Sequence, residues 1–465
     1  MKLNKIMIIA GVAALMALQT SCRENEYGTV DLTMPDDDQT EEPVAAQYTY
    51  NHPCAMFSQA DFDRVKASLD DGSAPQAVKD AYQGLQNSPY SMASYQPQPQ
   101  KWIVRGDATG TEPGVENYAY AMRDAAAAYQ LALRWKLSGD DQYADAAINV
   151  LNQWAATCVG ITSNDANQML AAGAQGYTFA CAADILSTYE GWEPTDFETF
   201  KTWIVNVFAS KNREFLDHTD ANTCALHYWS NWDLVNMCSY LAIGILTEND
   251  DMVNYVVNYF YNGAGNGCIN NLIQGTFDDP LGTGEQICQN QESGRDQGHS
   301  EMSAVVSANL AQMAYTLYTQ NPEVTQLDFF SANDNALLKM GEYVALANLR
   351  NGTDNANAQG QFLITAAQMP FNTYEYCVDC SCRDKNHSAV QTGLADDNGR
   401  GGVRPGWEIY YMHYARIMGL SSGFTYVKQF ADKMRPECGV GDSRYGSNSG
   451  AFDQLGWGTL MLYQE

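Results

Sequence analysis

From about residue 115 onward, apolar residues recur every three or four positions, which is the pattern of amphipathic helices. The clearest example predicts helices over 121–137 and 143–154, with Gly139 closing the first and Asp140 or Asp141 capping the second. A connection this short makes the two helices an antiparallel hairpin. The same pattern predicts four more hairpins, with helices over 169–189 and 197–215, 231–246 and 252–261, 300–318 and 336–349, and 407–418 and 422–434.

Helical hairpins of a few tens of residues cannot bury their inner faces alone, so they must stack. The sequence therefore predicts an all-α domain, built as an open solenoid or as a closed toroid. Two long polar stretches, 264–298 and 351–405, are rich in Gly, Asn, Gln and Asp. Irregular loops of this length in a compact domain are usually functional, so we expect them to line a substrate cleft.

The first residues have the pattern of a targeting segment. Lys2 and Lys5 precede an apolar run over 6–18 that is too short for a stable membrane span, so residues 1–21 are predicted to be a cleaved signal peptide. The run ends in small and polar residues before Cys22, which resembles the site where a bacterial lipoprotein is cut and acylated. An ordinary secretory peptide is the alternative, because its charged and apolar regions would look the same.

The stretch after Cys22 is acidic and polar, with too few apolar groups to fold, so residues 22–50 are predicted to be a flexible tether. The expected location is the cell envelope, as an outer-membrane lipoprotein that is surface-exposed or periplasmic. The lipid anchor would be the membrane contact, because no second apolar run is long enough to span a bilayer. We expect the protein to be a monomer.

The formal net charge is −29, which disfavours nucleic acid as a partner. Clustered arginines can still make a cleft positive in an acidic protein, so this charge does not exclude an anionic substrate. Among twelve cysteines, Cys181 and Cys238 lie in apolar helical stretches and are expected to be buried thiols. The disulfide candidates are Cys377, Cys380, Cys382 and Cys438, with a zinc site as the alternative.

The sequence has no phosphate-binding loop, nucleotide motif or zinc-protease motif, and we predict no metal and no cofactor, while a structural calcium ion in the Asp- and Asn-rich loops is left open. Three of the six histidines lie instead in dense clusters of aromatic and polar residues. The first cluster, 222–232, contains His227, Asn231 and Trp232 just before a predicted helix. Its alternative interpretation is a helix cap at Ser230 or Asn231 with buried tryptophans.

The second cluster is 292–299, which also opens a predicted helix. If the helix already includes Arg295, its guanidinium and the ring of His299 share one face at four-residue spacing. The alternative is a surface salt bridge of Arg295 with Glu292 or Asp296.

The third cluster is 404–414. On a helix, Trp407, Tyr411 and Tyr414 fall at positions i, i+4 and i+7, which gives one aromatic face with two phenols. The alternative is an aromatic stripe packed in the core. Arg404 directly before the helix favours binding over packing.

Cleavage of a uronate polymer by β-elimination needs the residue types found in these clusters. An Asn or Arg neutralises the carboxylate so that the proton on carbon 5 becomes acidic, a His or Tyr takes this proton, and a Tyr or His protonates the leaving oxygen. Neutralisation of the developing charge carries most of the barrier reduction. The three clusters supply this set without a metal ion.

Five segments resemble the alginate lyase superfamily of α/α-toroid polysaccharide lyases, namely 123–140, 171–184, 231–232, 292–299 and 407–414. The Glu-Ser-Gly-Arg-Asp-Gln-Gly-His run at 292–299 is the most specific, and the resemblance runs from about residue 54 to the end. It implies one α/α-toroid catalytic domain over 51–465 with six or seven helical hairpins. It also implies a lyase similar to bacterial enzymes that act on polymannuronate or glucuronan, with an anionic polysaccharide as its partner.

By this resemblance, Asn231 and Arg295 face the uronate carboxylate. The base and the acid would be one histidine, His227 or His299, and one tyrosine, Tyr411 or Tyr414. Related alginate lyases often carry Asn directly before a catalytic His, whereas this chain has Leu226 before His227. The residues expected to stack on sugars or bind carboxylates at flanking subsites are Trp232, Arg400, Arg404 and Trp407.

Two other functions fit parts of the pattern. A glycoside hydrolase on the same architecture would use a carboxylate pair drawn from Asp233, Glu292, Asp296 and Glu408. A non-catalytic surface lipoprotein that binds glycans would need exposed aromatic residues but no clustered His and Arg. Because Asn, Arg, His and Tyr dominate the clusters, the lyase is the favoured prediction.

Overall fold

The computed structural model of the chain describes residues 44–218, 225–351, 360–375, 390–396, 399–447 and 449–465. The predicted signal peptide over 1–21, the predicted lipidation site Cys22 and residues 22–43 of the predicted tether lie outside the described residues. Three of the disulfide candidates, Cys377, Cys380 and Cys382, also lie outside them. The fourth, Cys438, is a buried free thiol.

Helices form most of the described structure. Helices α1 to α15 span, in order, Gln59–Asp70, Gln76–Asn87, Ala119–Ser138, Asp141–Thr157, Asn167–Leu186, Pro194–Ile204, Ser210–Leu216, Ser230–Leu246, Asp250–Asn262, Ile269–Leu272, Gln297–Tyr318, Ala332–Asn348, Trp407–Met412, Thr425–Met434 and Gly458–Met461. A π-helical turn, Val205–Ala209, joins α6 to α7, and another, His413–Ile417, extends α13.

Short strands form three two-stranded sheets in the loops. Strand β1, Trp102–Val104, pairs in parallel with β2, Gly160–Thr162. Strand β3, Ile273–Asp278, is antiparallel to β4, Gln286–Asn290, and β5, Tyr374–Glu375, is antiparallel to β6, Val390–Gln391.

The five predicted hairpins are confirmed, each as a pair of contacting helices. The pairs are α3 with α4, α5 with α7, α8 with α9, α11 with α12, and α13 with α14. The first hairpin turns as the sequence predicts, because Gly139 has the left-handed φ of 73° and Asp140 accepts a hydrogen bond from the backbone N–H of Gln142.

The first helix of each hairpin lies on the inside of a ring. Helices α3, α5, α8, α11 and α13 pack successively against one another. Helix α15 contacts α13 as well as α1 and α2, and α1 contacts α3, so these three helices take the place of a sixth hairpin. The predicted α/α toroid is therefore confirmed, and it is closed.

The inner helices are buried on all sides, which explains their apolar composition. Every residue from Ala171 to Leu186 in α5 is buried. Helices α5 and α8 approach closely because Gly176 leaves room for Ser239, whose Oγ would lie 2.1 Å from an added Cβ. Cys181 and Cys238 are buried free thiols in this core, as predicted.

The two ends of the ring differ in their connections. Because each hairpin is antiparallel, all the inner helices run in the same direction. Short turns such as 139–140 and 247–249 follow the inner helices, whereas longer segments precede them, such as 263–296 before α11 and the described residues 399–406 before α13. We call the end where the inner helices begin the loop end and the opposite end the turn end. The predicted cleft-lining stretch 264–298 and the described residues 399–405 of the second stretch lead into α11 and α13 at the loop end, where the helix dipoles are positive.

Residues 44–51, the first described part of the chain, lie along the outside of the ring. Side-chain amides hold this segment by accepting from a backbone N–H and donating to the carbonyl of the same residue. The pairs are Asn258 with Val44, Asn254 with Ala46, Asn321 with Thr49 and Gln320 with Asn51. Within the described residues, no helix has the length and apolar character that a membrane crossing requires.

Candidate active site

A fully buried carboxylate, Glu292, joins the beginnings of α8 and α11. Its Oε1 accepts hydrogen bonds from the backbone N–H of Asn231 at 2.8 Å, from Nδ2 of the same residue at 2.6 Å and from Oγ of Ser303 at 2.9 Å. Its Oε2 accepts from Nη1 of Arg295 at 2.9 Å. The structure therefore brings Asn231 and Arg295 together through Glu292.

The partners of Glu292 fix the guanidinium of Arg295. A buried carboxylate without partners is strongly destabilising, so the sequence must supply these donors. The Nε of Arg295 lies 3.6 Å from Oδ2 of Asp296, and its Cζ lies 5.0 Å from the ring centre of Trp229. Its side chain is 26% exposed, and a guanidinium has five N–H donors, so some remain for a ligand.

His299 lies in the first turn of α11 and is held by Asp296. Oδ1 of Asp296 caps the helix by accepting the backbone N–H of His299 at 2.8 Å, and Oδ2 lies 2.7 Å from Nδ1 of the ring. Burial alone would raise the pKa of Asp296, but its bond to His299 and the nearby positive charges lower it. An ionised Asp296 favours the tautomer with the proton on Nδ1, which leaves Nε2 as a base. The imidazole is 38% exposed.

His227 lies in the turn before α8. Its ring packs edge-on against Tyr228, with 4.9 Å between ring centres, and the residue is buried, with 8% of its surface exposed. Nδ2 of Asn266 donates to the carbonyls of Leu226 and Tyr228, which holds both neighbours of His227. Trp229, two residues further on, carries the contact with Arg295, so His227 belongs to the same end of the ring.

Arg404 connects the loop before α13 to the start of α11. Its Nε donates to the carbonyl of Gly298 at 3.0 Å, and its Nη1 lies 3.5 Å from Oδ2 of Asp453. Burial raises the pKa of Asp453, and the charges of Arg404, Arg105 and His299 oppose that rise. Arg404 therefore lies beside His299, as expected of a residue near the cleft.

Burial raises the pKa of Glu301 to about 8, against the opposing charge of Arg404. This glutamate follows His299 by two residues in α11 and is almost fully buried. Burial therefore favours the neutral form of Glu301, which weakens its ability to cancel the charge of Arg404.

The third cluster is mostly core, which corrects two predictions. Tyr414 is fully buried, and its hydroxyl donates to the carbonyl of Phe330 at 2.8 Å. Trp407 is also fully buried and stacks on Phe430, with 4.3 Å between ring centres. Neither side chain reaches a surface that a sugar could contact, so both leave the candidate site.

Tyr411 and Trp232 are partly exposed but lie elsewhere. Tyr411 packs edge-on against Phe424 beside α14, the outer helix of its hairpin. Trp232 stacks on Tyr228 at 4.7 Å and on Phe215 of α7 at 6.0 Å, which places it between an inner and an outer helix. The structure brings neither of them to Arg295.

Arg400 has a structural role instead of the predicted carboxylate-binding one. Its Nε donates to the carbonyl of Ala347 and its Nη2 to that of Ile364, while Nη1 pairs with Asp396. Its Cζ lies 3.9 Å from the ring centre of Phe362, and the side chain is 3% exposed. These contacts occupy the guanidinium, so Arg400 holds its loop against the segments that contain Ala347 and Ile364.

The carboxylates that a hydrolase would need are not available as an exposed pair. Glu408 is buried and forms a bidentate pair with Arg435, at 2.8 and 2.9 Å. Asp233 is buried, binds the hydroxyl of Tyr259 and has a pKa that burial raises to about 7. Glu292 and Asp296 are buried as well, and Asp296 is already hydrogen bonded to His299.

Several residues of the site have roles that the sequence does not reveal. Glu292 has the spacing of a surface salt-bridge partner or a hydrolytic carboxylate, whereas its burial shows that it organises the site. Trp229 belongs to the first cluster, but only the fold brings it to Arg295. Arg105 and Asp453 come from distant loops, and nothing in their local sequence indicates a site.

Among the described residues, one group has donor atoms close enough to hold a metal ion. His52, Cys54 and Asp184 place a nitrogen, a sulfur and an oxygen within 4.8 Å of one another. Asp184 already accepts from Nδ1 of His52 at 2.5 Å and from the backbone N–H groups of Cys54 and Ala55. Because Asp184 lies near the C-terminal end of α5, this group is at the turn end, away from His299.

The toroid is shared with solved polysaccharide lyases. A histidine-to-alanine variant of alginate lyase A1-III complexed with a tetrasaccharide superposes with a TM-score of 0.53 at 12% identity, over 89% of this chain and 99% of that one. Alginate lyase A1-III from Sphingomonas species A1 gives 0.52 at 14% identity, over 89% and 100%. An alginate lyase from Bacteroides ovatus gives 0.47 at 13% identity, over 82% and 96%. The first two likenesses show the fold.

The sequence itself places the protein in the same class. The family model described as alginate lyase matches residues 68–351, which is more than half of the chain, so the protein is a polysaccharide lyase. More narrowly, the chain belongs to the alginate lyase family. The matched range includes Asn231, Arg295 and His299, and it ends before Arg404. No curated protein matches the chain in sequence.

Proposed function

We propose that this polysaccharide lyase cleaves a uronic-acid polymer by β-elimination, with polymannuronate and glucuronan as the first candidates. One observation carries the proposal. An accessible guanidinium, Arg295, directly precedes the capping residue Asp296 of α11, and an imidazole oriented by that carboxylate, His299, lies in the first turn of the helix. They are the cation and the base that removal of a proton next to a carboxylate requires.

The proposed reaction has three electron movements. The base removes the proton on carbon 5, the electrons of that C–H bond form the double bond between carbons 4 and 5, and the bond from carbon 4 to the glycosidic oxygen breaks. The oxygen leaves with a proton from the acid. Arg295 would bind the carboxylate on carbon 5 and stabilise the charge that develops there. Asn231 donates its amide to Glu292, so we assign it to holding Glu292 and Arg295 in place.

We assign the base to Nε2 of His299, because Asp296 fixes the ring and would stabilise the imidazolium. His227 would be the acid for the leaving oxygen. This pairing replaces the expected tyrosine, since Tyr411 packs beside α14 and Tyr414 is buried.

The acidic chain can attract an acidic polymer at the loop end. Arg295 and Arg404 lie beside the first turn of α11, and the inner helices present their N-terminal dipole charge there. Arg105 lies near Asp453 in the same region. Focusing of these positive charges in a cleft would outweigh negative charge on the outer surface.

Purified polymannuronate, polyguluronate and glucuronan, incubated with the full protein, test the proposal. We expect new near-ultraviolet absorbance from an unsaturated product with at least one of them. Arg295→Lys should retain part of this activity and Arg295→Ala should lose it. Arg416→Ala is the matched control, because Arg416 is an exposed arginine at the far end of α13. Reducing ends without absorbance would show hydrolysis and would overturn the proposal.

We also propose that the chain is exported and anchored by a lipid on Cys22. This proposal rests on the charged and apolar pattern of residues 1–21 and the acidic stretch that follows Cys22. Labelling cells with a fatty-acid probe should mark the wild-type protein and leave Cys22→Ala unlabelled. Equal labelling of both would contradict it.

A further inference from the structure

A cavity of about 680 Å³ lies between α2, α3 and the C-terminal loops. Its volume is within the range of about 300–1,000 Å³ that is typical of small-molecule sites. Aromatic rings from three segments line it, namely Tyr90, Phe452 and Trp457.

Arg123 lines this cavity with an exposed side chain. Within the described residues, its guanidinium makes no ion pair or hydrogen bond, and its nearest ring contact is Tyr120 at 6.0 Å. Asp442, a carboxylate in the lining, is already paired with Arg444, whose Nη2 lies 2.9 Å from its Oδ2. The cavity therefore offers a positive charge that no carboxylate in the described part of the chain pairs with.

The cavity also contains a buried polar group with unused capacity. Gln130 is fully buried in its lining and donates from Nε2 to the carbonyl of Val440 at 2.7 Å, while its Oε1 has no hydrogen-bond partner in the described structure. Buried polar atoms are normally satisfied, so this acceptor in the cavity wall is available to a donor that enters the cavity. A sugar hydroxyl is a donor that would satisfy it.

Backbone strain occurs in the same wall. Trp457 has a φ of 62°, which is rare for a bulky residue. Gly441 adopts its φ of 87° without strain, and it allows a close approach here, since a Cβ would lie 2.8 Å from Nε2 of Gln130 and 2.9 Å from the ring of Tyr90. Strain of this kind persists where the surrounding structure fixes it, and it is concentrated at functional sites.

The cavity is connected to the candidate active site through one short segment. Phe452 lines the cavity, and the next residue, Asp453, lies 3.5 Å from Arg404, which in turn contacts the residue before His299. Arg105 donates to Ser449 a few residues earlier. The segment 449–453 therefore contacts both the cavity and the residues beside His299.

We propose that this cavity is a flanking subsite for a further uronate unit of the polysaccharide, with Arg123 binding its carboxylate. The proposal rests on the proposed function, because it assumes a uronate chain at His299. Tyr90 and Phe452 would contact the faces of the sugar ring, and Oε1 of Gln130 would accept a hydroxyl.

Binding of hexamers tests the subsite without relying on turnover. The His299→Gln variant of the full chain is titrated with mannuronate and glucuronate hexamers in a calorimeter, alone and combined with Arg123→Ala or with Arg416→Ala. We expect Arg123→Ala to raise the Kd of the hexamer that binds by about tenfold or more, the effect of losing one charge-assisted hydrogen bond. Arg416→Ala should leave the Kd unchanged. Equal Kd values with and without Arg123, or equal losses for both arginines, would overturn the subsite.

Two further measurements test whether the cavity holds the sugar and whether Arg123 recognises its carboxylate. Ser447→Trp places a bulky ring among the exposed lining residues without changing charge, and it should weaken the hexamer in the same direction. A neutral cellohexaose should bind weakly and respond little to Arg123→Ala. An equal response of the neutral sugar would overturn the assignment to a carboxylate. The hexamer could bind in a way that depends on Arg123 while the wild type forms no unsaturated product. This result would refute the proposed reaction but would support the subsite.

Discussion

The clusters that open α11 and α13 carry similar residues but lie in opposite environments. His299, in the second cluster, is 38% exposed and hydrogen bonded to Asp296. His413, in the third cluster, is fully buried and stacks on Phe330 at 3.6 Å between ring centres. Neither of its ring nitrogens has a hydrogen-bond partner in the described structure. An imidazole can act as a base only where its lone pair reaches a substrate, so exposure separates the two.

Each cluster also contains a buried glutamate paired with an arginine, and the pairs serve different ends. Glu292 holds Arg295, which keeps a quarter of its side chain exposed, at the loop end. Glu408 holds Arg435 in a bidentate pair between α13 and α14, with the hydroxyl of Thr459 as a further donor. The same pairing therefore presents a cation in one region and joins an inner helix to an outer helix in the other.

The largest contrast is expected between the two histidines. His299→Gln should lower kcat/KM on the preferred polyuronate by about 10²–10⁴-fold, the usual contribution of a general base. His413→Phe should keep kcat/KM within about threefold, because the ring contacts no part of the proposed site. Absorbance of the unsaturated product gives both values. Comparable losses in the two variants would break the distinction.

The second contrast concerns stability. Arg435→Ala leaves the buried Glu408 without its main partner, so we expect the free energy of unfolding to fall by about 3–5 kcal/mol. Arg213→Ala is the control, since Arg213 forms an exposed pair with Asp217 worth about 0–1 kcal/mol. Urea denaturation followed by circular dichroism measures both. A loss from Arg435→Ala no larger than that of the control would show that the pair does not hold α13 to α14.

The hairpins could be predicted from the sequence because their causes are local. Apolar spacing, Gly139 and Asp140 determine the first hairpin within a few residues of chain. The run 292–299 could be identified for the same reason, since its Glu, Arg, Asp and His lie within eight residues of chain. The predicted shared face of Arg295 and His299 is wrong, because α11 begins at Gln297, after Arg295.

The predictions that failed depended on distant parts of the chain. Trp407 and Tyr414 form the stripe that the sequence predicts, but such a stripe is equally compatible with a surface and with a core. Burial by Phe430 and Phe330 decides between them, and both come from other helices or loops. Arg400 has the pattern of a binding residue because its carbonyl partners, Ala347 and Ile364, cannot be identified before the loop is folded.

The smallest expected effect is a difference in pH dependence between the wild type and His413→Phe. Burial lowers the pKa of His413 to about 3 from an ordinary value of about 6.5, so the unfolded chain binds a proton that the folded chain does not. The stability from neutral His413 is complete above about pH 6.5 and is lost as the pH falls towards 3. Between pH 7 and pH 5 the wild type should lose about 2 kcal/mol more than His413→Phe.

Buried carboxylates act in the opposite direction but are common to both proteins. Glu342 and Glu437 have pKa values that burial raises to about 8, so their contribution is present at low pH and is lost as the pH rises towards 8. The difference between wild type and variant therefore isolates His413. Urea denaturation at pH 5, 6 and 7 measures it. If the free energies of unfolding of the wild type and His413→Phe changed in parallel with pH, His413 would be hydrated in solution. The two histidines would then differ in their position in the fold and not in their burial.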